Sequence, residues 1–230
     1  MARATSANAS QQKRARGVKA GIDLAMILRA AQAIAPDTLT MQAVADELGV
    51  DRKAVNHHVS DRDTLLELVA TEAFTARFAS VRIPDDDWRE ACRAFALGVA
   101  ESAIAAGPLV ARLRMSSSLL AILLESVDAV MRAFVEAGFD DETAARSIAL
   151  LADIAVTHAR DMVEAQRTGE GTRHTWLRAA LDNHPGEKFL YADRLASSSI
   201  DTYDRRQLEY SVEVFLRGTE PLRERSPGRP

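Results

Sequence analysis

The stretch from Leu39 to Leu66, LTMQAVADELGVDRKAVNHHVSDRDTLL, constrains this chain more than any other. Thr40 stands where a hydroxyl can accept one of the unpaired amide protons of a helix start. Val44, Ala45 and Leu48 then repeat at helical spacing and give that helix one apolar face. Gly49 follows, the residue that turns through a left-handed backbone conformation at least steric cost. Asp51 can cap a second helix, expected from Arg52 to about Val59. Ala54, Val55 and Val59 are left to pack inward, while Arg52, Lys53, Asn56 and His57 face out. Ser60-Asp61-Arg62-Asp63 has the pattern of a third helix start.

A capped apolar helix, a glycine turn and a capped polar helix of this length form a helix-turn-helix. Its second helix is of the kind that lies in the major groove of DNA. The outward side chains suit that role. Gln42 and Asn56 can each read adenine in bidentate fashion and Arg52 can read guanine, while Lys53 reaches phosphate. The expected DNA-facing set is therefore Thr40, Gln42, Arg52, Lys53, Asn56 and His57, with Thr40 serving first as a cap.

At these residues the chain resembles the TetR family of bacterial transcription regulators. The matching residues are Leu39-Thr40, Val44-Ala45, Leu48-Gly49-Val50, His58-Val59 and Leu65-Leu66, all within roughly the first 70 residues. Two positions depart from the family's pattern. Asn56 stands where the family usually has a phosphate-contacting Tyr, and Ser60 where it often has Lys. Both changes remove a phosphate contact, so backbone affinity is either weaker or supplied elsewhere. The resemblance also places His58 beneath the recognition helix.

The 230 residues leave room for a larger remainder behind a small N-terminal module. Aromatics are scarce, alanine and leucine plentiful, and no run of alternating strands appears, so the expected fold class is all-α. A net charge of −4 does not suit a protein that coats nucleic acid without specificity. Arg3, Lys13, Arg14, Arg16 and Lys19 nevertheless give residues 1–20 a basic character with no acid. Residues 1–16 are expected to be a disordered basic arm. Cys92, the one cysteine, excludes an internal disulfide and suits a reducing cytoplasm, where it reads as a small buried apolar residue. No run reaches the roughly 18 apolar residues of a membrane span.

Further helices are expected over residues 18–35, 62–80, 87–106, 118–137, 142–167, 187–196 and 202–217. Shorter ones are expected through about Met115 and around His174–Leu181, with a disordered tail over 218–230. Asp85-Asp86-Asp87 could suggest a metal, but carboxylates before Trp88 also sit where a helix start favours negative charge, and no metal or cofactor is expected. Ser116-Ser117-Ser118 reads as a cap, because no base and orienting acid stand in a known relationship to it. His57 and His58 point about 100° apart on a helix and do not make a metal pair.

The resemblance implies the organisation of the rest. Residues 17–62 would be a three-helix DNA-binding head, 63–82 a connecting helix, and 83–217 a helical-bundle body for ligand binding and dimerisation. The helices at 142–167 and 202–217 would form a four-helix dimer interface, so that two heads engage a palindromic duplex. A small-molecule effector would bind in the body, with Phe95, Arg112, Met115, Met131, Phe134, His158 and Met162 as candidate lining. The leading expectation is thus a cytoplasmic homodimeric repressor and not an enzyme. An activator of the same fold is one alternative, and a helical module that dimerises without specific DNA binding is another.

Overall fold

Short polar side chains punctuate the chain at almost every helix start. Asp23, Thr40, Asp51, Asp61, Asp87, Ser116, Asp140 and Asp204 each accept a backbone amide of the turn that follows. The computed structural model describes residues 21–169, 173–184 and 188–225. In order it contains α1 (Leu24–Gln32), α2 (Met41–Leu48), α3 (Arg52–Asn56), α4 (Arg62–Phe78) and α5 (Trp88–Ala105). A 3₁₀ segment, Gly107–Arg112, leads to α6 (Ser117–Glu136) and α7 (Asp141–Thr168). Then come α8 (Arg173–Asp182), α9 (Leu190–Ala196), α10 (Arg205–Thr219) and a closing 3₁₀ turn, Glu220–Arg225. No strand occurs among the described residues, so the fold is all-α.

The spine of the larger part is the pair α5 and α7, which make the most extensive helix contact of the fold. Both bury small residues, Ala91, Ala96, Ala100 and Ala103 on α5 and Ala144, Ala155 and Ala159 on α7. Short side chains let two helices approach closely and bring backbone as well as side-chain atoms into contact. Larger residues close the ends. Trp88, Phe134 and Phe139 form a triangle with ring centroids 5.0–5.4 Å apart, joining α5, α6 and the turn before α7. Cys92 is fully buried beside them on α5, and burial pushes its thiol up to about 12, which leaves it unreactive.

Helix α4 runs between the first three helices and this spine, packing on α1, on α5 and on the 3₁₀ segment. Residues 79–87 link α4 to α5, and Val81 in this link lies directly on Gly98. A Cβ placed at residue 98 would come within 2.6 Å of a Val81 methyl. The glycine is therefore required by close approach, not by backbone conformation.

Several expected boundaries move. The first helix spans Leu24–Gln32 because Asp23 caps it, and Leu24 is partly exposed; residues 18–20 lie outside the described residues. The second helix of the motif ends at Asn56, and His57 and His58 form the turn that brings Val59 back into the core. His58 is consequently exposed instead of packing beneath the helix, and its ring meets that of His57 edge-on at 5.5 Å. Residues 218–225, expected to be disordered, are helical, and Glu220 pairs with Arg89 on the first turn of α5. The basic arm of residues 1–16 and the last residues, 226–230, lie outside the described residues.

Replacing Gly98 by Ala should destabilise the fold by about 1–2 kcal/mol in urea unfolding, overpacking outweighing the gain in helix propensity. The double variant with Val81→Ala should lose less than the sum of the two single changes. Full additivity would mean that the two residues do not meet.

Candidate nucleic-acid interface

The turn between α2 and α3 is built by local chemistry. Gly49 adopts φ 64°, its amide reaches back to Ala45 and Asp46, and the Val50 amide donates to the Ala45 carbonyl at 2.9 Å. This pairing satisfies the last carbonyls of α2 and reverses the chain in two residues. Asp51 then accepts the Lys53 amide at 2.8 Å and starts α3. Val44, Ala45, Val55 and Val59 are buried on the inner faces. The outer face of this five-residue helix is left to Arg52, Lys53 and Asn56.

Thr40, Gln42 and Arg52 of the sequence-derived set line one hollow of this unit. Thr40, Gln42, Arg52, Lys53, Asn56 and His57 are all exposed. Thr40 accepts the Ala43 amide at 3.0 Å, and the Gln42 amide donates to Asp46 at 2.7 Å along its own helix. Gln42 must release Asp46 before it can read a base. The side chains of Arg52 and Lys53 make no hydrogen bond or ion pair among the described residues. A hollow of about 490 Å³ lies beside them, lined by Thr40, Met41, Gln42, Arg52, Ser60, Asp61 and Arg62. It opens at the N-terminal ends of α2 and α4, where unpaired amides favour a phosphate.

Arg62 went unmarked in the sequence, and it fixes this geometry. Its Nε donates to the Leu39 carbonyl at 2.7 Å, and a terminal nitrogen donates to the Pro36 carbonyl at 3.3 Å. The start of α4 is thereby tied to the segment that leads into α2. On either side, Asp61 caps α4 through the Thr64 amide, and Asp63 pairs with Arg112 of the 3₁₀ segment at 2.8 Å. The Thr64 amide, helped by the Ser60 and Thr64 hydroxyls, holds the Asp61 carboxyl below the usual carboxylate range. Arg160 of α7 donates to the Leu113 carbonyl at 3.2 Å, so a polar chain runs from α7 to the first turn of α4.

The residues expected to line an effector pocket are dispersed. Phe95 and Phe134 are core, while Met131 and Met162 are half-buried. The 3₁₀ segment stops at Arg112, so Met115 falls in the link to α6 and is 64% exposed, while Arg112 turns to Asp63. His158 is buried and lines a groove of about 340 Å³ between α7 and α10, with Asp161, Arg173, Gln207 and Ser211 nearby. Burial pushes its imidazole below the ordinary histidine range, against the opposing pull of Asp161 and Asp204. None of the other six residues lines that groove. Among the described residues no group of three His, Cys, Asp or Glu side chains could hold a metal, and no helix is long and apolar enough to cross a membrane.

The site is a helix-turn-helix with an exposed cationic second helix, joined by α4 to a larger helical bundle. Comparison with known proteins agrees. No family model matches the chain. The tetracycline repressor protein class A from transposon 1721 of Escherichia coli is 29% identical over 199 residues, covering 80% of this chain and 90% of that protein. A possible TetR family transcriptional regulator from Streptomyces coelicolor A3(2) superposes with a TM-score of 0.67 at 21% identity, over 87% of this chain and 100% of the other. The Streptomyces coelicolor TetR family protein ActR, in complex with actinorhodin, gives 0.66 at 24% identity, over 87% and 96%. The chain thus shares the all-α fold of these TetR-family structures and is similar in sequence to the tetracycline repressor.

Arg62→Ala should lower stability by about 1–2 kcal/mol, since the Leu39 and Pro36 carbonyls both lose their charged donor. Arg62→Lys should not restore it, because an ammonium cannot serve both carbonyls from one fixed fork. Urea unfolding measures the loss, and unchanged stability would remove Arg62 from this role.

Proposed function

We propose that the chain is a homodimeric repressor that binds a palindromic operator and leaves it when a small molecule occupies the body. The observation that carries this reading is the outer face of α3. Arg52 and Lys53 stand there unpaired, Arg52 on the wall of the hollow, above a back face closed by Val55 and Val59. Thr40, Gln42, Asn56 and His57 complete the DNA-facing set. In this reading residues 17–62 are the DNA-binding head, 63–82 the connecting helix and 83–217 the ligand-binding and dimerisation body, acting in the cytoplasm. Two subunits pair through the helices at 142–167 and 202–217. Leu150 on α7 and Tyr210 and Val214 on α10 are large apolar side chains that a single chain leaves exposed, which favours this pairing.

A small-molecule effector is supported by the relatives. One is named a tetracycline repressor, and another has a structure with actinorhodin bound. Such a ligand acts only through preferential binding to a conformer whose heads no longer match the operator. The residues proposed to meet it remain Phe95, Arg112, Met115, Met131, Phe134, His158 and Met162. Of these, His158 has the strongest support, as a buried imidazole on the wall of a groove.

The test is selection of bound duplexes from a random pool at near-physiological salt. A palindrome should emerge with half-sites about one helical turn, or a multiple of it, apart. Against that sequence Arg52→Ala should relax preference at one base pair by about 1–3 kcal/mol. Lys53→Ala should weaken binding evenly and reduce the salt slope by about one. Binding to all duplexes alike would favour a dimerisation module without operator specificity.

A further inference from the structure

Of the side chains proposed to read bases, Gln42 alone already has a hydrogen-bond partner among the described residues. Its Nε2 donates to Oδ1 of Asp46 at 2.7 Å. Arg52 and Asn56 have no such partner. Gln42 and Asp46 are both exposed on α2, one helical turn apart. A carboxylate only accepts, so it fixes the amide with its nitrogen toward Asp46. Gln42 also lines the hollow that it shares with Arg52, and Asp46 does not. The carboxylate therefore holds the amide from outside the space in which a base edge is read.

A glutamine–aspartate pair at this spacing supports a helix only weakly. Helix α2 is in any case closed at its ends by the Thr40 cap and the Gly49 turn. What the pair changes is the exchange that DNA must drive. Gln42 has to give up a charge-assisted hydrogen bond, which is about twice as strong as a neutral one. Adenine returns two bonds, through N7 and N6, in a bidentate contact. Thymine O4 returns one. Guanine presents only acceptors at N7 and O6, so it leaves the Gln42 carbonyl oxygen without a donor. A phosphate returns one bond of the same charge-assisted kind, with no net gain. A two-for-one exchange opens the pair, and a one-for-one exchange leaves it closed.

We infer that Asp46 is a positioning residue for base selection, which keeps Gln42 off the DNA unless the duplex presents adenine to it. The single contacts that an unheld glutamine makes with other bases are thereby suppressed. The inference rests on the reading of Gln42 as DNA-facing. Asp46 itself touches no base in this role. It sharpens selectivity and lowers affinity in one act, since every productive contact by Gln42 begins with breaking the pair. Removing the carboxylate therefore tightens binding and broadens it together.

The experiment uses the full chain and the selected duplex. Gln42→Ala first identifies the base pair that Gln42 reads, and duplexes carrying each other base pair at that position are then compared. Fluorescence anisotropy at fixed salt gives the affinities, and circular dichroism checks that each variant keeps the parent's helicity. Asp46→Ala should tighten binding to the substituted duplexes more than to the selected one, cutting discrimination at that base pair at least about threefold. Discrimination elsewhere should not change. Asp46→Asn still accepts from Gln42, through a neutral bond, and should fall between the parent and Asp46→Ala. In a Gln42→Ala background, Asp46→Ala should leave discrimination unaltered. Equal tightening on all duplexes would show a general charge that repels phosphate and would overturn the inference, as would no change at all. If Gln42→Ala discriminates at every base pair as the parent does, Gln42 leaves the DNA-facing set and the inference goes with it. A parent protein that enriches no sequence would contradict the operator reading itself.

Discussion

The first turn of α4 holds three consecutive charged side chains that look in three directions. Asp61 accepts an amide of its own helix, Arg62 reaches the carbonyls of Leu39 and Pro36, and Asp63 meets Arg112. The rest of the structure hangs from this point. Arg62 ties α4 to the segment entering α2, so a tilt of α4 strains the placement of α2 and α3. The Asp63–Arg112 pair is exposed, and as a stabilising contact it is worth about 0–1 kcal/mol. Its value lies in where it is. Allosteric coupling needs only about 1–3 kcal/mol in all, and a contact of that size between the 3₁₀ segment and α4 is not negligible on that scale.

Stability comes from elsewhere. The alanine-rich contact of α5 with α7, the Trp88–Phe134–Phe139 triangle and the seating of Val81 on Gly98 make the bundle dense. Dense packing is poorly compressible, so a change at one face of the bundle is transmitted and not absorbed. The same bundle leaves Leu150 on α7 and Tyr210 and Val214 on α10 exposed. Arg93 of α5 with Glu213, and Arg205 of α10 with Glu101, fasten α10 to the spine and hold its outer face in a fixed register.

Local chemistry was the legible part of the sequence. Thr40, Gly49, Asp51 and Asp87 do what their residue types and positions suggest, because a cap or a left-handed turn depends on atoms three or four residues away. The end of α3 was less legible. Val59 keeps its buried place by a turn at His57-His58, and that turn leaves His58 exposed where the resemblance places it beneath the helix. Arg62 escaped notice because its partners lie 23 and 26 residues away, beyond any periodic signal. Leu150 and Leu151 mark the limit most sharply, adjacent leucines on one helix of which one is exposed and the other buried. Periodicity finds an apolar face, and only packing says whether the chain itself or a partner covers it. Membership of a cavity is hidden from periodicity in the same way, since it depends on how helices rotate against one another.

The central claim is that two recognition helices, held at a set separation by their bodies, read one duplex together. A hydroxyl-radical footprint on a selected duplex tests it most directly. Two protected patches on one face of the DNA, their centres about 34 Å or a multiple of it apart, are the expected result. A single patch the width of one head, or uniform weak protection that disappears with added salt, would contradict it.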